Sequence, residues 1–276
     1  MNRALCIGIN KYPEHPLYGC VSDACSMASF LVNHCGFAVN DVRMLCDERA
    51  TTEAILSRLG WLLASLNAGD RVCLHYSGHG AQVASHSDSG EVDGLDECIC
   101  PQDFSWTPEH MITDKQFAKM FAGVPAGVEF IFISDSCYSG DLLKAQPRGE
   151  FVVGQTAKQP RFMPQPSDIA WGVASALSKG IDFPRGMRSG VQNTNVALIS
   201  GCAEDQTSAD AFIDGRYTGA LTHYLLAELI QPNGLVQTLA TTIVHVRSAL
   251  AKAGYEQTPQ LEGNQDIMNR GFLLLD

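Results

Sequence analysis

Val128-Glu129-Phe130-Ile131-Phe132-Ile133-Ser134 runs directly into Asp135-Ser136-Cys137-Tyr138-Ser139-Gly140. The near-continuous apolar run reads as a central parallel strand, because a strand with one wet face alternates apolar and polar residues. The string after it reads as the turn at its carboxyl end. The same arrangement occurs upstream, where Arg71 to Tyr76 reads as a strand and Tyr76-Ser77-Gly78-His79-Gly80 as its turn. In open parallel sheets ligands gather beyond the carboxyl ends of the strands. Two such turns at one end of one sheet put an imidazole beside a thiol.

Working outward, residues 3–9 and 42–46 read as strands. Residues 22–35 carry Ala24, Met27, Ala28, Leu31 and Val32 at helical spacing, with Gly36 as the stop. Thr51-Thr52 caps a helix to about residue 66. Residues 84–97 read as a polar loop, Cys98 to Cys100 as a short strand, and Thr113-Asp114 as the start of a helix to about 122. Residues 144–194 hold five prolines and seven Lys or Arg with little periodicity, which predicts a long surface connection. Val196 to Ser200 reads as a strand, Thr218 to Ile230 and 236–253 as helices, and Phe272 to Leu275 as a last strand. The alternation predicts an α/β fold with a mostly parallel sheet and helices on both faces.

With 276 residues, 45% hydrophobic and 18% charged, the chain is an ordinary globular one. A net charge of −11 argues against nucleic acid as a partner, since duplex binders need a basic footprint. The apolar runs are too short to cross a membrane, and no export signal follows Met1. Ten scattered cysteines without such a signal read as reduced thiols in the cytoplasm. Cys98 and Cys100 have no partner pair at zinc-ligand spacing.

The chemistry starts from Cys137. A free thiol is mostly protonated at neutral pH, and a histidine within reach takes that proton and later returns it to a leaving amine. The backbone N–H groups of Gly80 and Cys137 are the candidate oxyanion donors. The reaction expected of this set is acyl transfer to water through a thioester. A carboxylate two residues from the nucleophile, Asp135, does not help form a thiolate; it suits a cation in the substrate. Asp23, at a loop-to-helix junction, is either a second wall of that pocket or a helix N-cap. His15, His34, His86, His110, His223 and His245 read as surface or capping residues, and His75, four residues before His79 in a strand, makes no metal face with it.

Six strings together resemble the metacaspases among the caspase-like cysteine peptidases: Cys6-Ile7-Gly8-Ile9-Asn10, Gly19-Cys20-Val21-Ser22-Asp23-Ala24, Tyr76-Ser77-Gly78-His79-Gly80, Asp93-Gly94-Leu95-Asp96-Glu97, Asp135-Ser136-Cys137-Tyr138-Ser139-Gly140 and Ile199 to Ala209. The resemblance implies one caspase-like peptidase domain over 1–276, a three-layer sandwich. Its parts are a large-subunit-like region (1–144), a linker (145–194) and a small-subunit-like region (195–276). It implies a His79–Cys137 dyad, cleavage after Arg or Lys, and an S1 pocket lined by Asp23 and Asp135 with Cys20 and Ser77 nearby. It implies protein or peptide substrates and a monomer, with no third catalytic residue.

Three departures from the family pattern stand out. Tyr138 replaces the usual His after the nucleophile. Asp96 and Asp114 match two acids of the family's calcium site, but Thr113 and Lys144 stand where further acids are usual, so calcium dependence is expected to be weak or absent and no cofactor required. A Pro-rich or zinc-finger prodomain, the third departure, is not expected. The basic linker suggests self-cleavage. The competing readings are a catalytically silent caspase-like interaction module and a hydrolase of small amides using the same dyad.

Overall fold

Phe130 and Phe132 point to one side of the strand that ends at Asp135, and Ile131 and Ile133 to the other; all four are fully buried. A strand covered on both faces has no position for a polar side chain until it reaches the crevice, which is why its sequence is so apolar. The computed structural model describes residues 1–86, 92–137, 158–167, 191–192, 194–203 and 206–273. In chain order its elements are β1 (Asn2–Gly8), α1 (Cys20–His34), β2 (Val42–Cys46), α2 (Thr52–Leu63), β3 (Arg71–Ser77), β4 (Gly80–His86), β5 (Val92–Ile99), β6 (Ile112–Thr113), α3 (Asp114–Phe121), β7 (Glu129–Asp135), β8 (Gln159–Pro160), β9 (Ala197–Ser200), β10 (Ala209–Ile213), β11 (Arg216–Gly219), α4 (Ala220–Leu229), α5 (Leu239–Lys252), β12 (Gln260–Gly263) and α6 (Gln265–Met268).

The main sheet has the order β12-β9-β7-β3-β1-β2, parallel throughout except for the antiparallel edge strand β12. Helices α2 and α3 cover one face: Ile55, Leu59, Leu62, Phe117 and Phe121 pack with Leu5, Ile7, Leu74, Phe130 and Phe132. Helices α1, α4 and α5 cover the other: Met27, Leu31, Leu221, Leu225, Ile243 and Val246 pack with Ala4, Cys6, Ile131 and Ile133. The result is the expected three-layer α/β sandwich. Thr51 caps α2 through Ala54 N–H, and Thr113 with Gln116 forms a capping box on α3.

Four expectations are corrected. The stretch 84–97 is mostly strand, because β4 and β5 form an antiparallel hairpin that β6 extends; a hairpin outside the main sheet needs no apolar run and reads as polar. The helix expected from Thr218 starts at Ala220, since 216–219 is strand β11, paired with β10 through a tight turn with Asp214 at φ 50° and Gly215 at φ 83°. The last strand is β12, not 272–275: Phe272 and Leu273 are buried in the core outside any strand, and 274–276 lie outside the described residues. Inside the expected surface connection, Gln159–Pro160 forms strand β8 against β10, and the next residue, Arg161, is completely buried.

Candidate active site

Two parallel strands deliver the central residues in register. Ser77, the last residue of β3, pairs with Asp135, the last of β7. Beyond them the backbone N–H groups of Gly80 and Cys137 both donate to one acceptor, the carbonyl oxygen of Arg161, each at 3.1 Å. Arg161 N–H donates to Ser208 O at 3.1 Å, and Met163 N–H to Gly80 O at 2.9 Å. Residues 159–163 therefore lie extended between β10 and the start of β4. Pro160 opposes Ala209, whose own N–H turns away to Gln257 Oε1, so a residue without an N–H loses no ladder bond there.

The Arg161 side chain fills a buried acidic pocket. Its Nη2 lies 2.7 Å from Asp23 Oδ2 and 3.0 Å from Asp210 Oδ1, and its Nη1 lies 3.2 Å from Asp135 Oδ1. Nη1 also donates to Ser77 Oγ at 2.7 Å and to the Asp135 carbonyl at 3.1 Å. Burial alone favours losing the proton, but Asp135, Cys20, Asp23 and Asp210 outweigh it and hold the guanidinium well above its ordinary pKa. The Asp23 carboxyl is also pushed up, but by burial, against Arg161 and the Thr218 hydroxyl, which both lower it. Cys20, buried in the first turn of α1 beside Ser77, is pushed well up, mainly by burial.

The acids are held from several directions. Asp23 does not cap α1, whose N-cap is Gly19; it sits one turn inside, where its carboxylate accepts from Ser77 Oγ, Thr218 Oγ1 and Gly219 N–H. Asp135 accepts from Thr222 N–H at 2.9 Å, Thr222 Oγ1 at 2.7 Å and Ser208 Oγ at 2.7 Å. Gly219 N–H and Thr222 N–H belong to the start of α4, so the positive end of that helix faces two of the three carboxylates. A Cβ on Gly219 would collide with the Asp135 carboxylate and the Arg161 guanidinium. Asp210, which the sequence reading missed, also accepts from the N–H groups of Tyr18 and Gly19. The Asp214-Gly215 turn was its one available signal, since that turn defines a hairpin in which Asp210 lies on β10.

His79 is fixed at three points. Its backbone N–H donates to Tyr12 Oη, its carbonyl accepts from Tyr76 Oη, and its ring Nε2 lies 2.6 Å from His15 O. A carbonyl only accepts, so Nε2 carries the hydrogen and Nδ1 keeps its lone pair. Nδ1 is buried, with no hydrogen-bond partner among the described residues. Burial, as the main cause, pushes the imidazole down to about 4. His15 sits at φ 56°, a left-handed conformation uncommon for a side-chain-bearing residue, and this aims its carbonyl. Reading His15 by its side chain missed this role, because the functional atom belongs to the backbone. The Cys137 thiol is buried against Ser208, whose N–H donates to it. Cys202 lies within hydrogen-bonding reach of the same sulfur, and that contact, ahead of burial, pushes its own pKa well up.

The calcium candidates do not join this site. Asp96 pairs with Lys115 Nζ at 3.0 Å, and buried Asp114 accepts from Lys115 N–H at the start of α3. Among the described residues no three His, Cys, Asp or Glu side chains converge to hold a metal. A carboxylate with an ammonium on it is a poor start for a hard-cation site, which needs six or more oxygens. Tyr138 and Lys144 lie outside the described residues.

A model of the metacaspase peptidase C14 domain matches residues 2–146. Metacaspase-1 of Scheffersomyces stipitis is 32% identical over an alignment spanning 99% of this chain and 73% of that protein. Metacaspase-1 of Saccharomyces cerevisiae is 30% identical, over 99% and 68%. The crystal structure of a Geobacter sulfurreducens protein matches with a TM-score of 0.70 at 26% identity, covering 99% of this chain and 98% of the other. The crystal structure of caspase-1 from Spodoptera frugiperda shares the fold alone, with a TM-score of 0.50 at 11% identity over 95% and 86%. With a caspase-like sheet, a thiol and an imidazole at its carboxyl edge, and relatives aligned over nearly its full length, the chain belongs to the metacaspases, a family of cysteine peptidases.

Proposed function

We propose that this chain is an endopeptidase that cleaves after arginine or lysine through Cys137 and His79, and that the bond between Arg161 and Phe162 in its own linker is one of its substrates. The observation that carries the reading is the dual engagement of Arg161. Its guanidinium is buried among three carboxylates while its carbonyl oxygen accepts from Gly80 and Cys137 N–H groups. A surface loop has no reason to bury a cation in that way. A substrate has, because it needs side-chain recognition and carbonyl polarisation at one residue.

The chemistry follows from the same atoms. The Cys137 sulfur adds to the carbonyl carbon of the bound basic residue as its proton passes to His79 Nδ1. The oxygen, now carrying negative charge, is held by the Gly80 and Cys137 N–H groups. The C–N bond breaks as the imidazolium returns the proton to the departing amine, leaving a thioester. Water then adds to the thioester with His79 as base, and the carboxylate product leaves with Cys137 restored. His15 O holds the imidazolium through Nε2–H, the part a third side chain plays in other triads.

The partners under this proposal are proteins and peptides with exposed basic residues, with neither nucleic acid nor a membrane surface involved, and the enzyme acts as a monomer in the cytoplasm without a calcium requirement. All ten cysteines are free thiols, which suits a reducing compartment. No described helix is long and apolar enough to cross a membrane. The test uses fluorogenic peptides with Arg, Lys, Asp and Ala before the leaving group, with and without calcium, on wild type and Cys137→Ala. Cleavage of the Arg and Lys peptides by wild type alone, independent of calcium, is expected. Absence of cleavage, or cleavage that survives in Cys137→Ala, would overturn it.

A further inference from the structure

The segment held in the cleft has one more ordered contact, three residues before Arg161. Lys158 Nζ donates to the carbonyl of Gly254 at 2.7 Å and lies 4.0 Å from the centre of the Tyr255 ring. That spot is built by the end of α5. Gly254 takes φ 77°, its N–H returns to Ala251 O, and Tyr255 N–H returns to Leu250 O. These are the two bonds of a Schellman termination, which fixes the chain as it leaves the helix. Tyr255 is half-buried, and its ring packs edge-on against Tyr224 at 5.9 Å. A cation there meets three favourable things at once: a carbonyl acceptor, the negative end of a 14-residue helix and the face of an aromatic ring.

The ladder between β8 and β10 makes this a substrate subsite rather than an incidental contact. Asp210 opposes Gln159 and Ala209 opposes Pro160, so any peptide adding a strand to β10 with arginine in the acidic pocket brings its fourth residue back from the cut to the same place. Alternation along a strand sends Gln159 and Arg161 to one side and Lys158 and Pro160 to the other. Gln159 follows this, donating to Pro16 O, while Lys158 turns towards α5.

We propose that the Schellman end of α5, with the Tyr255 ring and the Gly254 carbonyl, is a subsite selecting a basic residue three positions before the scissile arginine or lysine. The enzyme's preferred substrates then carry two cations spaced as Lys158 and Arg161 are. This inference rests on the peptidase reading above and refines its substrate class.

The test compares two blocked fluorogenic tetrapeptides of identical composition and charge, Lys-Gln-Pro-Arg and Gln-Lys-Pro-Arg, on the full-length wild-type chain. A protein of net charge −11 attracts both equally at long range, so only a local subsite separates them. The expected result is a kcat/KM about three to five times higher for the first peptide, the range of an exposed cation–aromatic contact. Tyr255→Leu should bring the ratio towards one, and Tyr255→Phe, which keeps the ring, should preserve it. Equal rates on the two isomers by an active wild-type enzyme would overturn the subsite and leave the peptidase reading standing. A wild-type ratio that survives Tyr255→Leu would equally remove Tyr255 from the account. Cleavage of neither peptide would overturn both.

Discussion

The backbone N–H of Cys137 donates to the carbonyl oxygen of Arg161 at 3.1 Å. The residue proposed as nucleophile thus grips, through its own main chain, a carbonyl from the same polypeptide 24 positions downstream. The bond from that carbonyl to Phe162 N is the one proposed above as a substrate. Linker, pocket and N–H pair act as one unit, and each part can be perturbed separately.

Asp210 shares Arg161 Nη2 with Asp23, so two carboxylates read one end of the guanidinium. A single ammonium has no such fork. Asp210→Asn is expected to lower kcat/KM for arginine peptides about 10- to 100-fold, the value of one charge-assisted hydrogen bond, and to lower lysine peptides less. Kinetics on matched Arg and Lys substrates check this; equal losses would mean that Asp210 acts only on folding.

His15 contributes a carbonyl and a backbone conformation rather than an imidazole. His15→Gly should keep activity within about threefold, since glycine adopts positive φ freely. His15→Pro fixes φ near −65°, which cannot replace 56°, and should cut kcat at least tenfold. His79→Ala removes the base and should cost about 10²- to 10⁴-fold. Peptide hydrolysis rates for the three variants test the order.

Removing the internal cation leaves three buried carboxylates without their partner. Arg161→Gly is expected to destabilise the fold by about 3–5 kcal/mol, a fall in Tm on the order of 10 °C. Agmatine, which carries a free guanidinium, should restore part of that Tm in Arg161→Gly and leave wild type unchanged. Thermal scans with and without agmatine decide it; no differential rescue would mean that the acids do not form a cation pocket.

Acid should weaken the fold through two histidines. Burial pushes both His75 and His79 down to about 4, while the ordinary value is 6.5. Between about pH 6.5 and 4 the unfolded chain binds protons at these sites and the folded chain does not, so stability is lost as pH falls through that window. Among the described residues the His75 ring hydrogen-bonds only to the Thr222 hydroxyl, through Nε2, so His75→Leu should leave stability at pH 7 little changed and reduce the pH slope below 6.5 by about one proton. Urea melts at several pH values measure the slope; an unchanged slope would place the acid sensitivity elsewhere.

What could be read in the sequence followed the strength of its local signals. Strand β7 was visible because both its faces are buried, and the turns bearing His79 and Cys137 because glycines mark strand ends. Thr51 and Thr113 announced their helices by capping chemistry. Strand β12 and the β4–β5 hairpin were hidden, since edge and outlying strands carry no apolar run. Asp210 was hidden because it reaches the pocket from a hairpin whose pairing is long-range, and the His15 carbonyl because backbone atoms leave no trace in residue identity. Arg161 was visible only as one of seven basic residues in a connection. Choosing it required the β8–β10 ladder, which the run Gln159-Pro160 does not advertise.

The most direct measurement is the chemical identity of the ends produced when the purified full-length chain is incubated, read by intact mass and amino-terminal sequencing of wild type, Cys137→Ala and Arg161→Gln. The account predicts a wild-type fragment beginning at Phe162, absent from both variants. The same fragment from Cys137→Ala, or a wild-type chain that hydrolyses arginine peptides yet never yields an end at Phe162, would contradict it.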